Sequence, residues 1–247
     1  MARSVDASGQ DIITSAFTAP TRYSWHIHFQ KSTVPGAGGS TQPVKMSSAT
    51  VWDAGFSWDH GTASFRQAMF HRNSAGGFTS AKLTSTLSAD TWYKLGGRYD
   101  GTNIDAFLNG AIEATTASSD PGTSESPTFS SDSSSADGGI VAERACWNVA
   151  LSDSEFLLLG AGMSALYIRP GNLIAYNPIF GNQSPEPDLS GNGRTGALTS
   201  TTKVGHSPVL YPARPHIIAK APAPGGANPH NPFGHPFYGP FAGPMVA

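Results

Sequence analysis

Residues 91–114 read TWYKLGGRYDGTNIDAFLNGAIEA, and this stretch decides the fold class. Asp100-Gly101 and Asn109-Gly110 are the dipeptides that supply the positive φ of two-residue hairpin turns. The first turn follows WYKLGGRYD (92–100), and the second closes IDAFLNG (104–110) before a short return. The run therefore reads as successive antiparallel strands.

The same texture extends toward the N-terminus. SWHIHFQ (24–30), GFSWD (55–59) and SFRQAMFHR (64–72) are short strand-like segments between turn clusters, the pattern of a sandwich or barrel. In SWHIHFQ the period of two puts Trp25, Ile27 and Phe29 on one face and His26, His28 and Gln30 on the other, so the histidines face solvent or a second layer. Imidazoles two apart on a strand project side by side and could share a metal. No carboxylate set can be picked out to complete such a site, and no metal is expected.

Composition agrees with a β protein. Charged residues are 13% of the 247 residues, about half the usual share, and no long window is dominated by strong helix formers. A formal net charge of −2 offers no basic field for a nucleic acid backbone. The first residues lack the apolar run of a signal peptide, and no apolar window reaches the length of a membrane span. The expectation is a product made in a cytoplasm, with no nucleic-acid partner and no membrane insertion. Cys146 is the one cysteine, so an internal disulfide is excluded. Set among apolar neighbours in IVAERACWNV, it reads as a buried, inert thiol.

Residues 117–138, ASSDPGTSESPTFSSDSSSADG, are low-complexity and read as a surface loop. GIVAERACWNV then reads as a buried strand. LSDSEFLLLGAGM contains one credible helix, with Ser152 as N-cap, Glu155 as its capping-box partner, and Gly160 and Gly162 ending it. A further strand is expected at Leu173–Tyr176, and a polar Gly/Asn/Asp loop before Ala197–Leu198. Beyond Pro208 the chain becomes a Pro/Gly-rich arm with interspersed aromatics, unable to fold by itself.

The run quoted first resembles the central hairpin of concanavalin A-like, laminin G-like jelly-roll domains: a Trp-containing strand, "YDG", an alternating strand, then "NG". GGIVAERACWNVALSDSEFLLLGAG is similar to their closing strand and short helix. The order of helix, RPGNLIAYNPIFG and DLSG resembles the ending of tailed-phage and prophage-associated members. The resemblance spans roughly residues 3–205. It implies an all-β, antiparallel two-sheet jelly-roll sandwich with one short helix over residues 1–207, and an extended arm over 208–247.

The resemblance supplies no catalytic residues. The related glucanases carry an E-x-D-x-x-E strand, whereas here Glu186-Pro187-Asp188 lies in a loop with no following Glu, so the paired carboxylates of glycoside hydrolysis are missing. No catalytic residue, enzyme activity or cofactor is expected. Some laminin G-like and lectin members bind calcium through Asp and Asn of rim loops, and Asp100, Asp120, Asp137 and Asp188 are rim candidates by position; Asp100 reads as turn chemistry and the others as solvated loop residues, so no metal is expected.

Two functions follow as expectations. The first is a phage virion structural protein, a capsid decoration or cement subunit at the virion surface, whose partners are the major capsid protein or other virion subunits. Its arm, through Pro229, Phe233, Phe237, Tyr238 and Phe241, docks on the shell or on a sister subunit of a homo-oligomer such as a trimer. The alternative is a glycan-binding adhesin of a tail fibre or head surface, with Trp52 or Trp58 stacking on sugar rings.

Overall fold

The structure is a computed structural model that describes residues 2–5, 10–30, 42–48, 53–59, 66–72, 77–119, 126–132, 139–181 and 183–210. By compactness the chain divides into Met1–Pro212 and Ala213–Ala247. The second unit lies outside the described residues, and with it the arm residues Pro229, Phe233, Phe237, Tyr238 and Phe241.

The first unit is all-β, with two antiparallel sheets, and the expectation of a two-sheet sandwich with one short helix holds. The larger sheet contains β1 (Ala2–Ser4), β3 (Tyr23–Gln30), β8 (Trp92–Tyr99), β9 (Asn103–Leu108), β10 (Ala111–Ala117), β12 (Ile140–Trp147), β13 (Leu173–Asn177) and β15 (Thr202–Val204). Its order is β10-β9-β8-β3-β12-β1-β15, with β13 also paired to β12. The smaller sheet runs β14-β2-β11-β4-β5-β6-β7. Its strands are β2 (Asp11–Ile13), β4 (Gln42–Ser47), β5 (Asp53–Asp59), β6 (Arg66–Arg72), β7 (Phe78–Lys82), β11 (Thr128–Asp132) and β14 (Ala197–Thr199).

The hairpins appear where the turn dipeptides place them. Gly101 (φ 104°) and Gly110 (φ 87°) take the left-handed backbone the turns require, and Asp100 Oδ1 accepts from the backbone N–H of Thr102 and Asn103 at 2.8 and 2.7 Å. Asp100 is thus turn chemistry. One expectation needs correction: 117–138 is not a loop throughout. Within it Thr128–Asp132 forms β11, between β2 and β4, and Phe129 is fully buried. Ser131 is satisfied by donating to Pro43 O, which lets a polar TFSSD segment sit inside a sheet.

The core between the sheets contains Trp25, Ile27, Phe29, Leu95, Tyr99, Met69 and Phe129. A second apolar layer covers the outer face of the larger sheet, where Phe107, Trp147, Phe156, Leu159 and Tyr176 pack together. Two adjacent glycines of β8 serve these two layers. A Cβ on Gly97 would enter the Trp25 ring and the Met69 sulfur, whereas one on Gly96 would meet the Phe156 ring at 2.6 Å. Phe156 belongs to α1 (Asp153–Gly160), capped by the Ser152–Glu155 box: Ser152 N–H donates to Glu155 Oε2 at 2.7 Å, and Glu155 N–H to Ser152 Oγ at 3.3 Å.

His26 and His28 face this second layer, not solvent; they are 3% and 1% exposed. Cys146 is buried, and burial pushes its thiol up to about 12, as an inert thiol requires.

Candidate functional site

A cleft of about 260 Å³ opens at the end of the sandwich where β12 finishes and β13 begins, a little under the roughly 300–1,000 Å³ of drug-sized ligand sites. Phe17, Asn148, Asn172, Asn192 and Arg194 line it, with Gly171 on its wall. Four separate stretches of chain deliver them.

The loop carrying Asn192 and Arg194 is shaped by Asp188. Its carboxylate accepts from the backbone N–H groups of Tyr176 (3.0 Å), Ser190 (2.9 Å) and Arg194 (2.7 Å), and from Ser190 Oγ (2.8 Å). Burial opposes ionisation, but these donors outweigh it and hold the carboxyl below its usual range. Asp188 is therefore an organiser of the loop, which corrects its reading as a solvated residue; Asp120 and Asp137 lie outside the described residues. Asn192 Nδ2 donates to the carbonyls of Leu173 and Ile174 at 2.7 and 3.0 Å, tying the loop to the start of β13.

Arg194 Nη1 donates to Ala16 O at 2.6 Å, and its guanidinium carbon stands 5.6 Å from the Phe17 ring centroid. On the other wall Asn172 Nδ2 donates to Asn148 Oδ1 at 3.0 Å, and Asn148 N–H bonds Asn172 O. The result is a cleft whose polar walls are amides and one cation, beside an aromatic ring. Amides offer donors and acceptors together, the pairing that sugar hydroxyls need.

The sequence reading missed these residues. The Gly/Asn/Asp loop after Asp188 was visible, but its approach to Phe17 and Asn148 is a product of the fold. The tryptophans singled out instead are not brought to the cleft by anything described: Trp52 lies outside the described residues, and Trp58 sits on β5 opposite Gln67, its side chain likewise outside them.

A second polar cluster lies under the last described segment, residues 205–210. Its root is a bulge in β12, where four residues (Ala142 to Ala145) stand against three of β3 (His28 to His26), with Glu143 at φ 52°. The bulge sends Glu143 to the outer layer, where Tyr176 Oη donates to its Oε2 at 2.5 Å and His206 Nε2 stands 3.3 Å from Oε1. Arg144 turns into the core, its Nη2 donating to Phe129 O at 2.9 Å, and burial brings its pKa down to about 9. Ser207 Oγ and His28 Nδ1 are 2.5 Å apart. A serine–histidine pair suits nucleophilic chemistry only when substrate can reach it, and these two are 4% and 1% exposed. The pair fastens the segment to the sheet.

Among the described residues no group of three or more His, Cys, Asp or Glu side chains is placed to hold a metal ion, and no helix is long and apolar enough to cross a membrane. Glu186, the acidic residue nearest to a glucanase pattern, is sealed in an ion pair with Arg3 at 2.9 Å.

No protein-family model matches the chain, and no curated protein matches it. Solved structures do. A candidate carbohydrate-binding protein from Bacteroides ovatus superposes with a TM-score of 0.58 at 14% identity, over 82% of this chain and 62% of that one. This chain therefore spans less than two thirds of that protein. A heptameric SAP-like pentraxin from Limulus polyphemus gives 0.53 at 10% identity, over 64% of this chain and 81% of that one. At such identities the likeness shows the fold, a lectin-like, concanavalin A-like jelly-roll sandwich.

Proposed function

We propose that the chain is a glycan-binding module and that the cleft between Phe17, Asn148, Asn172 and Arg194 is its sugar site. The observation that carries this reading is the lining itself: amide groups on one wall, and an arginine against an aromatic ring on the other, at an open end of the sandwich. Aromatic and amide surfaces at a concave site suit a ligand with apolar C–H faces and many hydroxyls. The carbohydrate-binding description of the Bacteroides neighbour supports the same class at the level of fold.

Gly171 provides a clean test. A Cβ there meets nothing within 4 Å, so Gly171→Trp fills the cleft with little expected cost to folding. The full chain is expected to bind members of a glycan array, and Gly171→Trp to lose at least tenfold in affinity while melting within a few degrees of the parent. Undiminished binding by a folded Gly171→Trp protein rules out the cleft.

A second reading is kept for one observation outside the cleft: the composition of residues 208–247, Pro/Gly-rich with Phe233, Phe237, Tyr238 and Phe241. Proline lowers the entropy lost on ordering, and spaced rings can bury on a partner. We infer from this a capsid decoration or cement subunit of a phage virion, docked by the arm to the major capsid protein or a sister copy. Mixing the full chain, and a chain ending at residue 210, with shells lacking the protein tests it. Binding by the full chain alone is expected; equal binding by both chains removes the arm from the account.

A further inference from the structure

We propose that the cleft selects acidic sugars: its ligand carries a carboxylate or sulfate that meets Arg194. The inference deepens the glycan reading and rests on it. Arg194 is the charged side chain among the cleft's lining residues, and no carboxylate stands beside it there. Three other arginines among the described residues are neutralised. Arg3 pairs with Glu186, Arg98 with Asp105 and Asp153, and Arg169 with Glu155.

Arg194 has no such partner among the described residues. Its nearest acid in sequence, Asp188, takes the Arg194 backbone N–H, and backbone and serine donors occupy both its oxygens. Among the described residues only Nη1 of the guanidinium is engaged, on Ala16 O. Nε is shielded from solvent and has no hydrogen-bond partner among the described residues. A donor that water does not reach is closed to a ligand oxygen as well, so an anion meets the outer edge of the half-buried guanidinium where it lines the cleft.

The geometry suits an oxyanion. One guanidinium nitrogen is anchored and the ring of Phe17 lies against the group, so its position is set before ligand binds and little ordering is left to lose. The planar fork then presents N–H groups to a carboxylate or sulfate, a charge-assisted bond of about twice the strength of a neutral one. Asn148 and Asn172, across the cleft, are left for the hydroxyls of the same ring. A neutral sugar would leave the cation partly dehydrated and unpaired.

The test uses the full chain and calorimetry at low and high salt. The probes are hexuronate, sialylated and sulfated oligosaccharides, each beside its carboxyl-reduced or desulfated counterpart. At least one acidic probe is expected to bind tenfold or more tightly than its neutral counterpart, with the preference shrinking as salt rises. Whether carboxylates or sulfates lead separates the two sources. R194Q is expected to bring the pair within about twofold, and R194K, which keeps a charge near Ala16 O, to retain part of the preference. Equal affinity of the parent chain for acidic and neutral partners overturns the selectivity while leaving a glycan site in place. Failure to bind any sugar, acidic or neutral, overturns the glycan reading and this inference with it. If R194Q does not fold, the parent chain's own acidic-to-neutral ratio still decides.

Discussion

Replacing Glu186 with alanine is expected to remove about 3–5 kcal/mol of folding stability, the usual cost of leaving one member of a buried ion pair without its partner. The side chains of Arg3 and Glu186 are 7% and 0% exposed and meet at 2.9 Å. Glu186 Oε1 also accepts from Gly181 N–H at 3.0 Å, and Arg3 Nη2 donates to Gln183 O at 2.7 Å. Truncation therefore strands a cation and a backbone donor together. Glu186 further pairs its backbone with Gly196, closing the base of the loop that carries Asn192 and Arg194. A weaker sugar site should accompany the lost stability. Urea unfolding of the full chain measures the first, and a loss below about 1 kcal/mol would sink the argument. Arg3→Met with Glu186→Leu should recover most of the loss, because an apolar pair needs no desolvation of charge.

The pairing of Arg3 with Glu186 was beyond the reach of the sequence, where the two stand at opposite ends of the sandwich domain. What could be read were features set by neighbours along the chain. Asp100-Gly101 and Asn109-Gly110 declare their turns by backbone chemistry alone, and Ser152–Glu155 declares a helix start in the same way. The alternation in β3 separated Trp25, Ile27 and Phe29 from His26 and His28 correctly, yet what covers the histidines depends on α1 and residues 205–210. Strand β11 was hidden because TFSSD is polar, and its burial comes from β2 and β4 on either side. The bulge at Glu143 was hidden for a related reason: IVAERACW reads as one continuous strand, and nothing local marks the extra residue. The cleft is the extreme case. Its lining arrives from four segments, and each asparagine alone resembles an ordinary loop residue.

Acid should unfold this protein earlier than its carboxylates alone would dictate, because His26 and His28 are buried uncharged. Burial, with Lys94 nearby, brings the pKa of His26 down to about 3. Burial first, then His26, Lys94 and His206, lowers His28 well below its usual value. In the unfolded chain both take up protons near pH 6.5. Below that pH the unfolded state holds more protons than the folded one, so stability falls with acidity, by up to about 1.4 kcal/mol per pH unit for each histidine. His206 works in the other direction. Burial disfavours its charge, but Glu143 and the carbonyls of Pro178 and Ser207 outweigh burial and raise its pKa. Its contribution is therefore complete below about pH 6.5 and fades as pH rises through the raised value, which flattens the profile near neutrality without offsetting two histidines below it. Asp188, held below the usual carboxylate range, adds its own loss only at about pH 4 and lower. Urea midpoints from pH 7.5 to 4.5 should show a plateau followed by a steep decline starting near pH 6. His26→Leu should reduce that slope by about half, since its imidazole Nε2 has no hydrogen-bond partner to lose among the described residues. A flat profile from pH 6.5 to 5, or an unchanged slope in His26→Leu, would show that protons reach these imidazoles in the folded state. The decline should also loosen residues 205–210 first, because His28 bonds Ser207 and loses that contact when the buried imidazole is forced to take a proton. Hydrogen exchange at the Leu210 amide, which donates to Gly162 O, would record that release ahead of global unfolding.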